Sequence, residues 1–179
     1  LPTGREDALR ALRFNFDEQD MASIGQAGGA AISSGLATGL SDAKNVAATL
    51  KKELGGVDDE LDLTQSTKEA LALAQAFNID DNEAIRAAGG IVKRDLAGNT
   101  SEALQLLLEL GQKTGLGFEE MLEIINEFGG DLNALGIEGV QGFSMMADLV
   151  ERRVTPQLDQ AGELFQELNE TIITGGAAE

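Results

Sequence analysis

The 179-residue sequence contains no cysteine, histidine, tryptophan or tyrosine. Without cysteine it can form no disulfide, no thiolate nucleophile and no cysteine-bound zinc site. Without histidine it lacks the usual general base near neutral pH and the commonest metal ligand. We therefore expect a protein that is not an enzyme and binds no cofactor, and we assign no catalytic, cofactor-binding or metal-binding residue.

Positive charge and aromatic rings are also scarce. The chain has 13 Lys and Arg against 31 Asp and Glu, a formal charge of −18, and its seven aromatic residues are all phenylalanine. A field of this sign repels phosphate, and few rings are present for base stacking. We expect no direct nucleic-acid binding, and contacts instead with cationic or neutral protein surfaces.

Only two prolines occur, and alanine, leucine, glutamate and glutamine dominate. This composition predicts helix nearly throughout. The expected fold is all-α, a compact bundle of about seven to eight helices with short Gly-rich connections. The predicted divisions are an Ala/Gly-rich helical segment at 1–56, an acidic loop at 57–65, a helical bundle at 66–173 and a disordered tail at 174–179. Because the sequence starts at Leu1 rather than Met, we expect a fragment or a processed product.

Polar residues and glycines mark the expected helix ends. An amphipathic helix is predicted at residues 6–16, a central helix at 101–110, and a last helix that turns Leu158, Phe165, Leu168 and Ile172 inward. The expected N-caps are Ser41, Ser66, Asp80, Thr100 and Thr155, the last followed by Pro156 at the first helical position. The expected stops are Gly55-Gly56, Gly98-Asn99, Gly111 and Gly129-Gly130.

One short pattern recurs before three helices. A glycine or asparagine that permits a left-handed turn is followed by an apolar residue that packs on the next helix. The three cases are Asn78-Ile79, Gly115-Leu116 and Gly136-Ile137. Their spacing is too uneven for a solenoid repeat.

Residues 21–40 carry no charge and are long enough to cross a bilayer, but they consist mainly of Ala, Gly and Ser, which insert poorly. We interpret them as a tightly packed Ala/Gly helix. The alternative is a segment that inserts in a membrane under special conditions. Both interpretations depend on small residues that permit close helix approach, namely Gly25, Gly28, Gly29, Gly35 and Gly39.

Carboxylate clusters offer the remaining chemistry. Glu119, Glu123 and Glu127 lie four residues apart, opposite an apolar stripe, which predicts a solvated helix face rather than an acid–base pair. The acids at 58–62 lack the spacing of a calcium loop, and we interpret them as a solvated linker. Ser41-x-x-Lys44 and Lys113-Thr114-Gly115 match two motifs of penicillin-binding enzymes, but the third is missing, and we treat the match as coincidence.

Residues 17–173 resemble phage tail tape measure proteins, particularly those of actinobacterial phages and prophages. Members of that family carry a Leu-rich helix, a Gly-Leu pair, a helix that ends in Asn-Glu-aromatic, and a Leu-Gly-apolar turn before the next helix. The matching residues here are Leu104–Leu110, Gly115-Leu116, Ile124–Phe128 and Leu135–Ile137.

The resemblance implies a structural virion component that occupies the tail tube lumen, sets tail length and is released at DNA ejection. It also implies residence in the virion tail, and in the host cytoplasm during assembly. The implied partners are the tail tube protein, a tail assembly chaperone and distal tail proteins, with self-association in the tail and membrane contact only during ejection. The family supplies no active-site residues.

Two other functions stay open from the sequence. One is an acidic helical adaptor or assembly chaperone in a bacterial host. The other is a cell-wall hydrolase, against which the lack of histidine and cysteine argues. The many glycines also argue against one continuous rod, which at ~1.5 Å per residue would measure roughly 270 Å, and favour a compact helical domain within a longer protein.

Overall fold

A computed structural model describes residues 16–152 and 155–176. These residues form eight α-helices and no β-strand, which confirms the predicted all-α multi-helix bundle. The helices are α1 Glu18–Ser33, α2 Leu40–Leu54, α3 Leu63–Phe77, α4 Asp81–Lys93, α5 Thr100–Thr114, α6 Phe118–Ala134, α7 Gly139–Glu151 and α8 Leu158–Gly176. The predicted helix at 6–16 lies outside the described residues except for Phe16, which packs partly buried against the core.

Carboxylate and amide side chains cap four of the helices. Each accepts a hydrogen bond of 2.7 to 3.0 Å from a backbone N–H two or three residues later, which satisfies one of the free donors at the helix start. The caps of α1, α3, α4 and α5 are Asp17, Asp62, Asp80 and Asn99. The prediction for Asp80 is therefore confirmed.

The four predicted caps with a hydroxyl side chain are wrong. Ser41 and Ser66 lie inside helices that have already begun, and Thr100 is the first residue of α5 rather than its cap. Asp62 and Asn99 precede two of these positions, and their side chains accept the capping hydrogen bonds instead. Helix α8 begins at Leu158, so Thr155 and Pro156 precede it instead of forming its first turn.

Two predicted helix stops are also wrong. Helix α5 continues through Gly111, and α6 continues through Gly129-Gly130. A Cβ at Gly111 would overlap the ring of Phe77, and a Cβ at Gly129 would lie 2.8 Å from Leu96 Cδ1. Because these side chains press on the helix backbone, the two glycines permit close packing inside a helix.

Other glycines do end helices as predicted. Helix α2 ends immediately before Gly55-Gly56. The φ angles are +51° at Asn78, +69° at Gly115 and +71° at Gly136, which confirms the three left-handed turns. The apolar residue after each turn packs partly buried against the core: Ile79, Leu116 and Ile137.

Helix α5 is central, as predicted, and packs against α3, α4, α6 and α7. Helix α1 packs mainly on α2 and α3 at one side of the bundle, while α8 packs on α6 and α7 at the other. The buried apolar side chains from α1 to α8 form one continuous cluster. The described residues of the predicted segments 1–56 and 66–173 therefore share a core, and their division into separate units stays a prediction.

The predicted burial of α8 is correct only for its first half. Leu158 and Phe165 are buried, but Leu168 and Ile172 are 50% and 57% exposed, so their predicted inward orientation is wrong. Asn169 donates a 3.0 Å hydrogen bond to Asp131 in the last turn of α6. Beyond this point α8 continues past the end of its neighbour. It extends through residues 174–176, which the sequence predicted to be disordered, and 177–179 lie outside the described residues.

Candidate functional site

A groove of about 740 Å³ lies between α4 and α6, bounded at one end by the C-terminus of α3. We call it the α4–α6 groove. Its apolar lining consists of Phe77, Ile79, Ala87, Phe118 and Leu122. Its polar lining consists of Glu83, Arg86, Arg94, Glu119, Glu120 and Asn126. A concave apolar surface with a few polar groups is the usual character of a binding site in a folded protein.

An aromatic pair forms the first end of the groove. The rings of Phe77, the last residue of α3, and Phe118, the first residue of α6, have centroids 5.7 Å apart and planes tilted by 49°. Such pairs contribute roughly 0.5–1.5 kcal/mol beyond the area they bury. Phe77 also lies against Gly111 of α5, so three helices fix this end.

A guanidinium bridges the far end of the groove. Arg94 donates a hydrogen bond from Nη1 to Asn126 Oδ1 of α6 and another, of 3.1 Å, from Nε to the Gly90 carbonyl. The start of α6 lies at the aromatic pair, and α4 starts four residues after Phe77. Because their later residues, Arg94 and Asn126, meet at the other end, α4 and α6 run in the same direction along the groove.

The charges of the groove are separated along its length. Glu83, Glu119 and Glu120 lie in the first turns of α4 and α6, near the aromatic end. Arg86 follows one turn later, and Arg94 lies at the bridged end. Among the ion pairs found within the described residues, none involves either arginine. The aromatic end thus carries three carboxylates against Arg86, and the bridged end carries Arg94, so the two ends of the groove differ in the sign of their net charge.

The glycines predicted for helix packing or membrane insertion lie elsewhere. Gly25, Gly28 and Gly29 are in α1. A Cβ at Gly28 would lie 2.9 Å from Lys44 Cγ of α2, so the two helices approach closely there, whereas nothing lies within 4 Å at Gly25 or Gly29. Gly35 adopts φ +72° between the two helices, and Gly39 caps α2. None of the five lines the α4–α6 groove.

The predicted membrane alternative concerned residues 21–40. In the part of the chain that the structure describes, no helix combines the length and the apolar character that a bilayer span requires. Residues 34–39 separate α1 from α2, so the uncharged stretch lies in α1, in the connection that follows it and in the first residue of α2.

The carboxylates of α6 behave as predicted. Glu119, Glu123 and Glu127 are exposed, which confirms a solvated helix face. The described residues include no group of three or more Asp or Glu side chains arranged to hold a metal ion. Two of the three glutamates lie outside the groove, and Glu119 contributes to its acidic end.

Asp58 corrects the interpretation of the acidic loop as a solvated linker. It is buried, and its Oδ2 accepts hydrogen bonds of 2.8 and 2.7 Å from the backbone N–H and the hydroxyl of Thr100. The loop between α2 and α3 is thereby attached to the start of α5. A carboxylate that accepts two such bonds is satisfied without a cation, so Asp58 has a structural role.

Glu69 was not identified from the sequence. It is buried in α3 and accepts hydrogen bonds from Ser101 and Gln105 of α5 and from Gln65 of its own helix, at 2.7 to 3.0 Å. Its partners in α5 are distant along the chain, so nothing in the local sequence distinguishes Glu69 from a solvated acid. This network also joins α3 to α5 and leaves no open ligand position of its own.

Lys113, from the stretch that imitates a penicillin-binding motif, joins α5 to α7. Its Nζ lies 2.7 Å from Asp148 Oδ1 and 2.9 Å from Glu109 Oε1. The hydrogen bonds to Asp148 and Glu109 raise the pKa of Lys113 above its ordinary value, and the same bond to Lys113 lowers the pKa of Asp148. Ser41 and Lys44 lie on α2.

No protein family, no curated protein and no solved structure matches this chain. Sequence reasoning missed the α4–α6 groove because its lining comes from three helices between residues 77 and 126. The available signal was the pair Gly89-Gly90 inside the predicted helix, which indicates either a weak point in the helix or a close packing contact.

Proposed function

We propose that the chain is a fragment of a phage tail tape measure protein, a structural virion component. The supporting observation is the resemblance carried by Leu104–Leu110, Gly115-Leu116, Ile124–Phe128 and Leu135–Ile137. Those residues belong to a central apolar helix, two left-handed turns and a buried helix face. In this function the parent protein occupies the tail tube lumen, sets tail length and is released when DNA is ejected.

The proposal includes partners and location. The parent protein contacts the tail tube protein, a tail assembly chaperone and distal tail proteins, and it self-associates in the tail. It resides in the virion tail, and in the host cytoplasm during assembly. It contacts a membrane only during ejection and binds no nucleic acid directly, consistent with the formal charge of −18. It catalyses no reaction.

The test uses the phage or prophage that encodes the parent protein. Mass spectrometry of purified tails should detect the parent at a few copies per tail, and its absence would overturn the proposal. In-frame deletion of residues 16–176 then measures how much this segment contributes to the length of the tail. A continuous helix would shorten the tail by roughly 240 Å at ~1.5 Å per residue. A domain that stays compact would shorten it by only roughly 40 Å, the diameter that corresponds to a radius of gyration of about 15 Å for a globular domain of this length.

The α4–α6 groove favours one other function, an acidic helical adaptor or assembly chaperone. An adaptor would present a preformed apolar surface to a client, which the groove provides. Pull-down of one defined cytosolic client, with loss of that client when the groove is filled, would favour the adaptor over the virion component.

A further inference from the structure

We propose that the α4–α6 groove binds an amphipathic α-helix of a partner protein, with an acidic first turn and a basic last turn, lying antiparallel to α4 and α6. This inference depends on the groove alone and not on the proposed function. A tail protein and an adaptor can both carry such a site, so the two proposals stand or fail separately.

The size of the groove suits a short helix. The lining of α4 extends from Glu83 to Arg94, roughly 17 Å at ~1.5 Å per residue, which equals about three helical turns. Amphipathic helices bind such grooves through apolar anchors spaced at i, i+3 or i+4, and i+7. The five apolar residues that line the groove supply the complementary surface.

Glycine keeps the α4 side of the groove open. Gly90 begins the last turn of α4 and lines the groove, and a Cβ built on it would meet no atom within 4 Å. Alanine would favour the helix by ~1 kcal/mol at an interior position, so helix stability does not explain this glycine. Its absent side chain leaves space one turn before Arg94, where an anchor residue of a bound helix can lie.

The charges of the groove select the orientation of the bound helix. Its acidic first turn meets Arg94 at the bridged end. Its basic last turn meets Glu83, Glu119 and Glu120 at the aromatic end, where these three carboxylates outnumber Arg86. Complementary charge of this kind fixes orientation and excludes wrong partners more than it raises affinity. Acids in the first turn and bases in the last turn also complement the helix dipole, so the partner helix is stabilised by the same charges that the groove recognises.

Other occupants match the groove poorly. A second copy of this chain would offer α8, which exposes Leu164, Leu168 and Ile172. That helix carries the acids Asp159, Glu163, Glu167 and Glu170 and no basic residue. Its acids would face the three glutamates of the groove at close range. A phosphate-bearing ligand would meet the same repulsion.

The test uses two synthetic peptides with the same apolar anchors and composition, each about 14 residues and roughly 21 Å long as a helix. The acid-first peptide carries glutamates in its first turn and lysines in its last, and the base-first peptide carries the reverse. Fluorescence anisotropy with the 179-residue protein should show binding at least about tenfold tighter for the acid-first peptide. Equal affinity of the two peptides, or binding of neither, would overturn the proposal.

Two protein variants locate the binding. Gly90→Leu fills the groove and should weaken the acid-first peptide at least about tenfold. Gly130→Leu is the matched control, because Gly130 is an exposed glycine of α6 with no atom within 4 Å of a built Cβ and does not line the groove. It should leave binding unchanged. Circular dichroism melts of both variants verify that each is folded. Undiminished binding by folded Gly90→Leu would overturn the proposal.

A charge exchange tests the orientation. Arg94→Glu should weaken the acid-first peptide several-fold, and a peptide with lysine in place of glutamate in its first turn should recover the affinity. Failure of that rescue would contradict the antiparallel orientation. Self-association that is lost in Gly90→Leu would identify a second copy as the occupant and would overturn the partner-helix proposal. Binding of a nucleic acid in preference to either peptide would also overturn it.

Discussion

The two halves of the bundle, α1–α4 and α5–α8, bury different kinds of apolar side chain. In α1–α4, half of the buried apolar residues are alanine: Ala27, Ala31, Ala43, Ala47, Ala48, Ala70, Ala74, Ala84 and Ala88. In α5–α8 the buried alanines are Ala103, Ala147 and Ala161, and leucine, isoleucine, methionine and phenylalanine make up the rest. One half is built from backbones that approach closely, and the other from large side chains that fill wider gaps.

The glycines show the same difference. In α1 a Cβ at Gly28 would meet an aliphatic carbon of Lys44, which is flexible. In the second half, a Cβ at Gly162 would lie 2.5 Å from the buried ring of Phe128, and one at Gly142 would lie 2.6 Å from Leu132 Cδ2. Large side chains in α5–α8 thus require glycine on the facing helix. We expect truncation of a buried side chain to lower the free energy of unfolding less in the first half than in the second.

The largest expected effect comes from shrinking a side chain in α5–α8. Phe143 is fully buried in α7. Phe143→Ala should lower the free energy of unfolding by about 3–5 kcal/mol, because it removes buried area and leaves a cavity. Urea denaturation followed by circular dichroism measures this. Ile125→Ala in α6 and Ile24→Ala in α1 are the matched pair, because both isoleucines are fully buried and lose the same atoms. Each should cost about 2–5 kcal/mol, and Ile125→Ala should cost more than Ile24→Ala. An equal cost for the two variants would contradict the difference between the halves.

The next effect comes from enlarging a side chain in α1–α4. Ala47 is fully buried in α2. Ala47→Leu should cost about 1–3 kcal/mol, since the added carbons push close-packed helices apart. Ala76→Leu in α3 is the matched control, because Ala76 is exposed and the same substitution there should stay within about 0.5 kcal/mol. If both variants unfold at the same urea concentration, the helices around Ala47 are not close-packed.

Local sequence was sufficient to predict the fold class and some of the helix boundaries. The alanine- and leucine-rich composition predicted the all-α bundle, and single residues predicted the left-handed turns at Asn78, Gly115 and Gly136. Those features depend on backbone preferences that a residue carries wherever it lies. Two of the capping errors arose where a second capping residue precedes the predicted one, as Asp62 precedes Ser66 and Asn99 precedes Thr100. Intrinsic preference separates asparagine from threonine but not aspartate from serine, so it does not select the helix start at Asp62.

The remaining errors involve partners that are distant in sequence. Gly111 read as a stop because nothing nearby reveals the Phe77 ring that lies on it. Asp58 read as solvated because its partner, Thr100, is 42 residues away. The sequence did not predict the α4–α6 groove for the same reason. Its existence depends on how far apart two parallel helices lie, which the periodicity of either helix alone does not determine.

The smallest expected effect is a difference in acid response between the halves. In the second half, the hydrogen bond from Lys113 lowers the pKa of Asp148, so this carboxylate contributes stability above its unfolded-state pKa and loses that contribution as pH falls through the folded-state pKa. In the first half, burial, Asp80 and Asp42 raise the pKa of Asp81. The charged form of Asp81 therefore costs stability above its folded-state pKa, and that cost disappears on acidification.

Melting temperatures measured from pH 7 down to pH 3 separate the two contributions. Asp148→Asn should melt below the wild type at pH 7, and the difference should shrink toward acid, because the wild type loses the same interaction there. Asp81→Asn should remove a gain that the wild type shows on acidification, so its difference from the wild type should change in the opposite direction. Parallel pH profiles for the two variants would mean that these carboxylates do not distinguish the halves, and that the contrast between them is confined to packing.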